Sequence, residues 1–273
     1  VVSSLANVAL DLWFVAGLGW QVAGAAAATV LSQGAMALFI LVYAHRRYPL
    51  LRLSLKEPLF RREDFAQGLR FGLPPALQFS VTAGGNIALQ NFMNGFGSHT
   101  VAAITTAYRV DTIMLLPIIN LGSAISTMVA QSKGAGEPQR ARHFWRTGAV
   151  MNLVVSLLLM AVMLLFGGKL VALFGVEAEA AAIGRRFFQR ISLFYVFFGL
   201  ACSMRGTIEG TGRVVYSSAV SIAALLLRIA LSYLLAGAFL NMAIAYAEGL
   251  HWIFMVLCFL PFFLRRDRWA QNS

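Results

Sequence analysis

Charge is what this chain of 273 residues has least of. Asp, Glu, Lys and Arg together make up 12% of it, about half of the roughly 25% in an ordinary soluble domain. The hydrophobic fraction is 59% and the mean hydropathy is +0.73. So few charges cannot cover that much apolar side chain in water, so a water-soluble globule is excluded. A bilayer removes the difficulty, because the outside of the fold is then as apolar as its inside. Acidic residues are scarcest, at 11 against 22 Lys and Arg, for a net charge of +11. The basic positions fall between apolar runs and are not interleaved with aromatics on a polar surface, so no nucleic-acid partner is expected. Cysteine is nearly absent. Cys202 and Cys258 both lie inside apolar runs, with neither a disulfide framework nor metal-ligand spacing. Enzyme signatures are missing as well, with no HExxH, no Walker-type Gly-Lys-Ser/Thr loop and no nucleophile elbow. Neither an enzyme nor a bound cofactor or metal is therefore expected. Without an ATP-binding module, uphill transport would draw on an ion gradient.

What is present is a succession of apolar runs, each near the 20 or so residues that a spanning helix needs. Eight emerge, at about 1–16, 22–44, 66–94, 99–130, 143–166, 186–207, 214–236 and 240–264. The predicted fold class is therefore an all-α polytopic transmembrane bundle of about eight helices. The chain begins Val1-Val2-Ser3-Ser4, as if in mid-helix, and reads as truncated. Pro74-Pro75, Gly84-Gly85 and Pro117 interrupt the third and fourth runs. Such breaks persist in lipid only where neighbouring helices or a wet cavity satisfy the freed backbone, so bent helices around a path are expected. Every second connection is basic: His45 to Arg62, Lys133 to Arg146, Arg205 to Arg213, and Arg265 to Arg268 after the last run. The intervening connections 17–20, 94–100 and 237–240 carry no Lys or Arg. The positive-inside rule puts the basic set and the C-terminus in the cytoplasm. Lys169, Arg185 and Arg186 are exceptions on the outer side, partly offset by Glu177 and Glu179. Gly134-Ala135-Gly136 and Gly210-Thr211-Gly212 follow no strand and read as turns at helix ends.

Ionisable groups at membrane depth cost about 2.5–3.5 kcal/mol each on insertion scales, so each is a functional candidate. Here they are Asp11, Arg109, Asp111, Arg228, Glu248 and His251. Ser3, Asn7 and Asp11 recur in steps of four on one helix face. A carboxylate beside an amide offers either hard oxygen ligands or a proton-accepting group, or else is simply a buried Asp held by hydrogen bonds. The third run carries Gln78, Thr82, Asn86, Gln90 and Asn94. The fourth carries Thr105, Arg109, Thr112, Asn120, Ser123 and Thr127. Both rows should face protein or water, either as interhelical hydrogen bonds or as the lining of a substrate groove. Arg109 and Asp111 cannot pair on a straight helix, which leaves Arg228 available to Asp111 or to Glu248 as a candidate buried ion pair.

Several stretches together resemble the multidrug and toxic compound extrusion (MATE) transporters. Asn7-Val-Ala-Leu-Asp11 and the segment Gly19 to Gln33 resemble their fifth and sixth helices, and Arg70-Phe-Gly-Leu-Pro74 resembles the entry to the seventh. Pro117 to Gln131, followed by Gly134-Ala-Gly136 and Arg140-Ala141, resembles the eighth helix and its loop. Arg205-Gly206 through Gly212 resembles the turn after the tenth. The order of these motifs is more specific than any one of them. The resemblance implies that 1–45 is the last two helices of an N-lobe, 46–63 a basic cytoplasmic linker, 64–264 a six-helix C-lobe and 265–273 a cytoplasmic tail, with N-lobe helices one to four lying upstream. In the DNA-damage-inducible (DinF-like) branch, it implies a cation or proton site at Asn7, Asp11 and Thr29. The other bacterial branch uses a Glu on helix seven and an Asp on helix ten. Here Ser80 or Thr82 stands near the first position and helix ten has no Asp.

The expected function is efflux of organic, often cationic, compounds by alternating access, coupled to Na⁺ or H⁺ in a bacterial inner membrane. A monomer in contact with lipid is expected, with Gln78, Thr82, Asn86, Gln90, Arg109 and Asn120 as groove candidates. A lipid-linked oligosaccharide flippase and a non-transporting membrane scaffold are the alternatives. The first would need a deep cavity rich in Arg and Lys, and the second would lack two polar rows converging on one cavity.

Overall fold

The computed structural model describes residues 2–49 and 61–264. The predicted tail 265–273 and most of the predicted linker 46–63 lie outside them. Among the described residues every regular element is helical and there is no strand. The chain divides into two compact units, Val1–Arg62 and Glu63–Ser273.

The first unit is a helical hairpin. Helix α1 (Val2–Asp11) passes directly into a π-helical segment, Leu12–Gly17, and after a short turn α2 runs from Gln21 to Arg47. The turn closes on Phe14, which accepts the Trp20 backbone N–H at 2.9 Å and stacks on the Trp20 ring. Gly24 is buried against Phe14, and the Ser3 hydroxyl donates to the Ser32 carbonyl at 3.3 Å, so the two helices run side by side.

The second unit holds α3 (Arg62–Asn94), α4 (Ser98–Gly134), α5 (Pro138–Ala172), α6 (Ala178–Ile191), α7 (Tyr195–Gly210), α8 (Val214–Leu234), the single turn α9 (Ala236–Phe239) and α10 (Ala243–Leu264). Among the described residues six stretches are long and apolar enough to cross a membrane: α2, α4, α5, α6 with α7 as one run, α8, and α9 with α10 as another. Helix α3 has the length, at 33 residues, but its polar stripe and charged first turns lower its hydropathy. Val2–Gly17 is apolar but shorter.

Helix α7 is the axis of this unit and packs against α4, α5, α8 and α10. Small residues make that possible. At the crossing of α4 and α7, a methyl group added to Gly206 would run into the Gly122 carbonyl oxygen. One added to Gly122 would sit 3.1 Å from the Cys202 carbonyl oxygen. Such backbone approach is how helices associate where no hydrophobic driving force separates them from lipid. Two apolar clusters fill the rest. One gathers Ile104, Ile118, Phe187, Phe188, Tyr195, Ile244 and Trp252. The other gathers Ile125, Val129, Ala201, Ile208, Ala224 and Phe259. Large apolar side chains also cover the outside, among them Val150, Leu158, Leu165, Leu226 and Leu257, which suits a surface solvated by hydrocarbon rather than water.

The helix-end turns sort into two ends of this unit. Gly136 ends α4 at φ +70°, with Glu137 N–H donating to Ser132 O (2.9 Å) and Gly136 N–H to Lys133 O (3.0 Å). This paired pattern is a Schellman turn, whose left-handed position suits glycine. The same pattern ends α7 at Gly212. The Lys133 ammonium donates to the Thr211 carbonyl at 3.0 Å, which joins the α4–α5 turn to the α7–α8 turn. Elsewhere His99 at the start of α4 meets Glu177, just before α6, at 3.5 Å. The α3–α4 and α5–α6 turns therefore share an end as well.

Candidate functional site

The polar groups that the sequence singles out inside the helices fall into three places. The first is the hairpin unit. Asn7 and Asp11 lie one turn apart on α1, both partly buried. The Asn7 amide nitrogen Nδ2 and the Asp11 oxygen Oδ1 are sealed from solvent, with no hydrogen-bond partner among the described residues. Asp11 is also the last α-helical residue before the π-helical segment. A π-helical turn shifts the backbone bonds by one residue, and such turns recur at functional sites. Thr29 lies on α2 level with Asn7, in the register set by the Ser3–Ser32 and Phe14–Gly24 contacts. Its side chain is exposed and its hydroxyl donates to the Ala25 carbonyl of its own helix at 2.9 Å. Of the three predicted cation ligands, Asn7 and Asp11 share a helix face and Thr29 does not bond to either.

The second place is a buried network in the larger unit. Arg228 on α8 forms an ion pair with Glu248 on α10, and the two side chains are 12% and 10% exposed. The Tyr108 hydroxyl on α4 donates to Glu248 Oε2 at 3.2 Å and accepts from Arg228 Nη2 at 3.0 Å, so three helices meet at one charge pair. His251, one turn after Glu248, places Nδ1 2.9 Å from the Glu248 carbonyl oxygen and 3.8 Å from Oε1. Asp111 is buried and is held by the Tyr195 hydroxyl rather than by Arg228. Sequence reasoning left the Arg228 partner open between Asp111 and Glu248, and the structure assigns Arg228 to Glu248. Tyr108 and Tyr195 were missed, because hydropathy counts tyrosine with the apolar residues. The only available signal was that positions 108 and 111 share a helix face.

The third place holds the two polar rows. Gln78 is buried, with Oε1 lacking a partner among the described residues; Thr82 and Gln90 are half-buried; Asn86 and Asn120 are exposed. Their bonds run along their own helices. Thr82 donates to the Gln78 carbonyl at 2.8 Å, Asn120 to the Leu116 carbonyl at 2.8 Å, and Gln90 Nε2 to Asn94 Oδ1 at 3.2 Å. Thr112, Ser123 and Thr127 likewise donate to the carbonyl four residues back. These groups do not stitch helix to helix. Thr82, Gln90, Thr112, Asn120, Ser123 and Thr127 are satisfied within their own helices, while Gln78 Oε1 and Thr105 Oγ1 have no partner among the described residues. At the N-terminal end of α4 the rows come together around an open cavity of about 600 Å³, to which Asn94, Thr105 and Arg109 contribute.

Comparison with known proteins agrees with this architecture. The family model described as MatE matches residues 74–234. The probable multidrug resistance protein YoeA of Bacillus subtilis is 30% identical over 235 residues, which cover 82% of this chain and 50% of that protein. YpnP of the same organism, also named a probable multidrug resistance protein, is 29% identical over 76% of this chain and 46% of its own. The chain thus spans about half the length of these relatives. In fold it is similar to an outward-facing multidrug resistance MATE family transporter of the MOP superfamily. That match has a TM-score of 0.86 at 20% identity, covering 96% of this chain and 60% of the other. With more than half of its residues under the family model and a helical bundle to match, this chain belongs to the MATE family of multi-pass membrane transporters.

Proposed function

We propose that the full-length protein is an efflux antiporter that exports organic compounds by alternating access, driven by Na⁺ or H⁺ across a bacterial inner membrane. Residues 1–45 belong to one lobe and 64–264 to the other, with the basic turns and the C-terminus on the cytoplasmic side. The coupling ion binds at Asn7 and Asp11, with Thr29 as a further oxygen donor. Gln78, Thr82, Asn86, Gln90, Arg109 and Asn120 form the solute-facing surface of the larger lobe.

The observation that carries this reading is the state of Asn7 and Asp11. The Asp11 carboxylate oxygen and the Asn7 amide N–H one turn away are sealed from solvent with no partner among the described residues, an expensive arrangement in an apolar helix. Taking up a proton or a cation relieves the part of that cost that falls on Asp11. Because Asp11 adjoins the π-helical segment, a change in its charge acts on a part of the helix with two available hydrogen-bond registers. Charge uptake then biases the helix between conformations, which is the coupling an antiporter requires. The flippase alternative asks for several free deep bases, and Arg228 is already engaged by Glu248.

The test is Asp11→Asn in the full-length protein, with ethidium efflux measured under an imposed proton gradient and, separately, an imposed Na⁺ gradient. Efflux driven by one of the two gradients should fall to the uncoupled background. Unchanged efflux would remove Asp11 from the mechanism.

A further inference from the structure

Arg109 differs in its company from Arg228, which also lies within an apolar run, and from arginines at the helix ends. Arg228 is paired with Glu248, Arg205 with Glu209 and Arg140 with Glu137, while no ion pair joins Arg109 to a carboxylate among the described residues. It lies eleven residues beyond Ser98, about 16 Å along α4 at 1.5 Å per residue. A guanidinium at that depth is costly unless it faces water or an anionic group.

Arg109 lines the cavity at the N-terminal end of α4, together with Asn94, Ser98, Thr105 and Thr106, and no acidic side chain among the described residues lines it. Ser98, Thr105 and Arg109 are spaced seven and four apart, on one helix face. Thr105 Oγ1 is shielded and lacks a partner among the described residues. The Asn94 carbonyl oxygen already accepts from Gln90, so its amide N–H groups remain to donate. The exposed carboxylate of Glu177 lies 3.5 Å from His99 and is not among the lining residues. The lining is therefore one positive charge among hydroxyl and amide groups, with Gly97, Val101 and Ala102 supplying its apolar part. Its volume of about 600 Å³ falls in the usual range for organic ligands, about 300–1,000 Å³, and is far larger than an inorganic ion needs.

We propose that this cavity is an anion-recognising subsite, in which Arg109 and the Thr105 hydroxyl bind a carboxylate, sulfonate or phosphate group on the transported solute. The guanidinium offers parallel N–H donors that match such groups two at a time. This assignment rests on the proposed transport function and narrows it, from organic compounds in general to solutes that carry an acidic group.

The test uses full-length protein purified in detergent and two dyes, anionic carboxyfluorescein and cationic ethidium, with binding followed by fluorescence anisotropy. Arg109→Gln should raise the carboxyfluorescein Kd about tenfold or more, the usual consequence of losing a charge-assisted hydrogen bond. Arg109→Lys should retain part of that affinity, and Thr105→Val should lose several-fold. Arg109→Gln should bind ethidium more tightly, because it removes a like charge from the cavity, so the two dyes should shift in opposite directions. The subsite is refuted if the wild type shows no saturable carboxyfluorescein binding. It is equally refuted if Arg109→Gln shifts neither dye, or weakens both to the same extent in protein that elutes and melts like the wild type. Efflux from proteoliposomes separates the two readings. Ethidium efflux without carboxyfluorescein binding overturns only the subsite, whereas Arg109-dependent carboxyfluorescein binding without gradient-driven efflux of either dye supports the subsite and overturns the transport function.

Discussion

Arg228 and Glu248 show how a single ion pair can organise several helices. Each is almost enclosed, and a charge removed from water is tolerated only with its counter-charge and further hydrogen bonds in place. Tyr108 supplies those bonds from α4 by donating to Glu248 and accepting from Arg228. Glu248→Ala should therefore leave Arg228 without its counter-charge and cost about 3–5 kcal/mol of stability, seen as a lower thermal midpoint of the purified protein. Pairing Glu248→Leu with Arg228→Met should recover most of that loss, because it removes both charges together. A double variant whose loss equals the sum of the two single losses would show that the residues are not coupled. At this scale the sequence revealed the ionisable groups but not their partners. Glu248 and Arg228 stood out as charges in apolar runs, because hydropathy weights charge heavily. The choice between Glu248 and Asp111 depended on how α8 and α10 are rotated about their axes, and no local pattern encodes that. Asp11 and Asn7 were legible as a pair because their spacing is itself helical. The way Thr29 turns to the Ala25 carbonyl was not.

Helix α7 carries the packing of the larger unit through what it omits. Tyr195, Gly199, Ser203, Gly206 and Gly210 give it a face of mostly small residues. That face lies against Asn152 and Ser156 of α5 and against Gly122 and Ser126 of α4. Asn152 adds a hydrogen bond at 2.9 Å to the Ser203 hydroxyl. Gly206→Val should separate α4 from α7 at their crossing. Over-packing of this kind costs about 1–3 kcal/mol, so the variant should melt earlier and elute as a broader peak from size exclusion. Pairing it with a change on the outer face of α5, such as Leu158→Ala, should rescue nothing, since Leu158 is exposed. A variant melting with the wild type would mean that the two backbones are not in contact there. The helices themselves were legible, since runs such as 99–130 and 214–236 correspond to α4 and α8 within a few residues. The interruption at Ser192–Phe194 between α6 and α7 was not, because its composition is as apolar as that of its neighbours. Helix α3 shows the limit of hydropathy in the other direction. Its polar stripe, which marked it as a groove candidate, also keeps it out of the set of membrane-spanning runs identified by composition.

For the molecule as a whole, the distribution of charge and the arrangement of turns make one statement about orientation. Lys133, Arg140, Arg142 and Arg146 flank the α4–α5 turn, and Arg205 and Arg213 flank the α7–α8 turn. Lys133 reaches the Thr211 carbonyl, so the two basic turns form one patch. The His99–Glu177 contact gathers the α3–α4 and α5–α6 turns elsewhere. There Lys169 and Arg185 stand against Glu177 and Glu179, so the sign is less one-sided. Short basic connections are retained on the cytoplasmic side during insertion, and the patch at Lys133 and Arg213 should therefore face the cytoplasm. The check is a pair of single cysteines at Gly95 and Gln139 in a background with Cys202→Ala and Cys258→Ala. A membrane-impermeant maleimide added to intact cells should label position 95 and spare 139, and inside-out vesicles should reverse the pattern. If position 139 reacted in intact cells, the bundle would be inverted. The cavity beside Arg109 would then open to the cytoplasm, and the charge asymmetry of the turns would have to be outweighed by Lys169, Arg185 and Arg186.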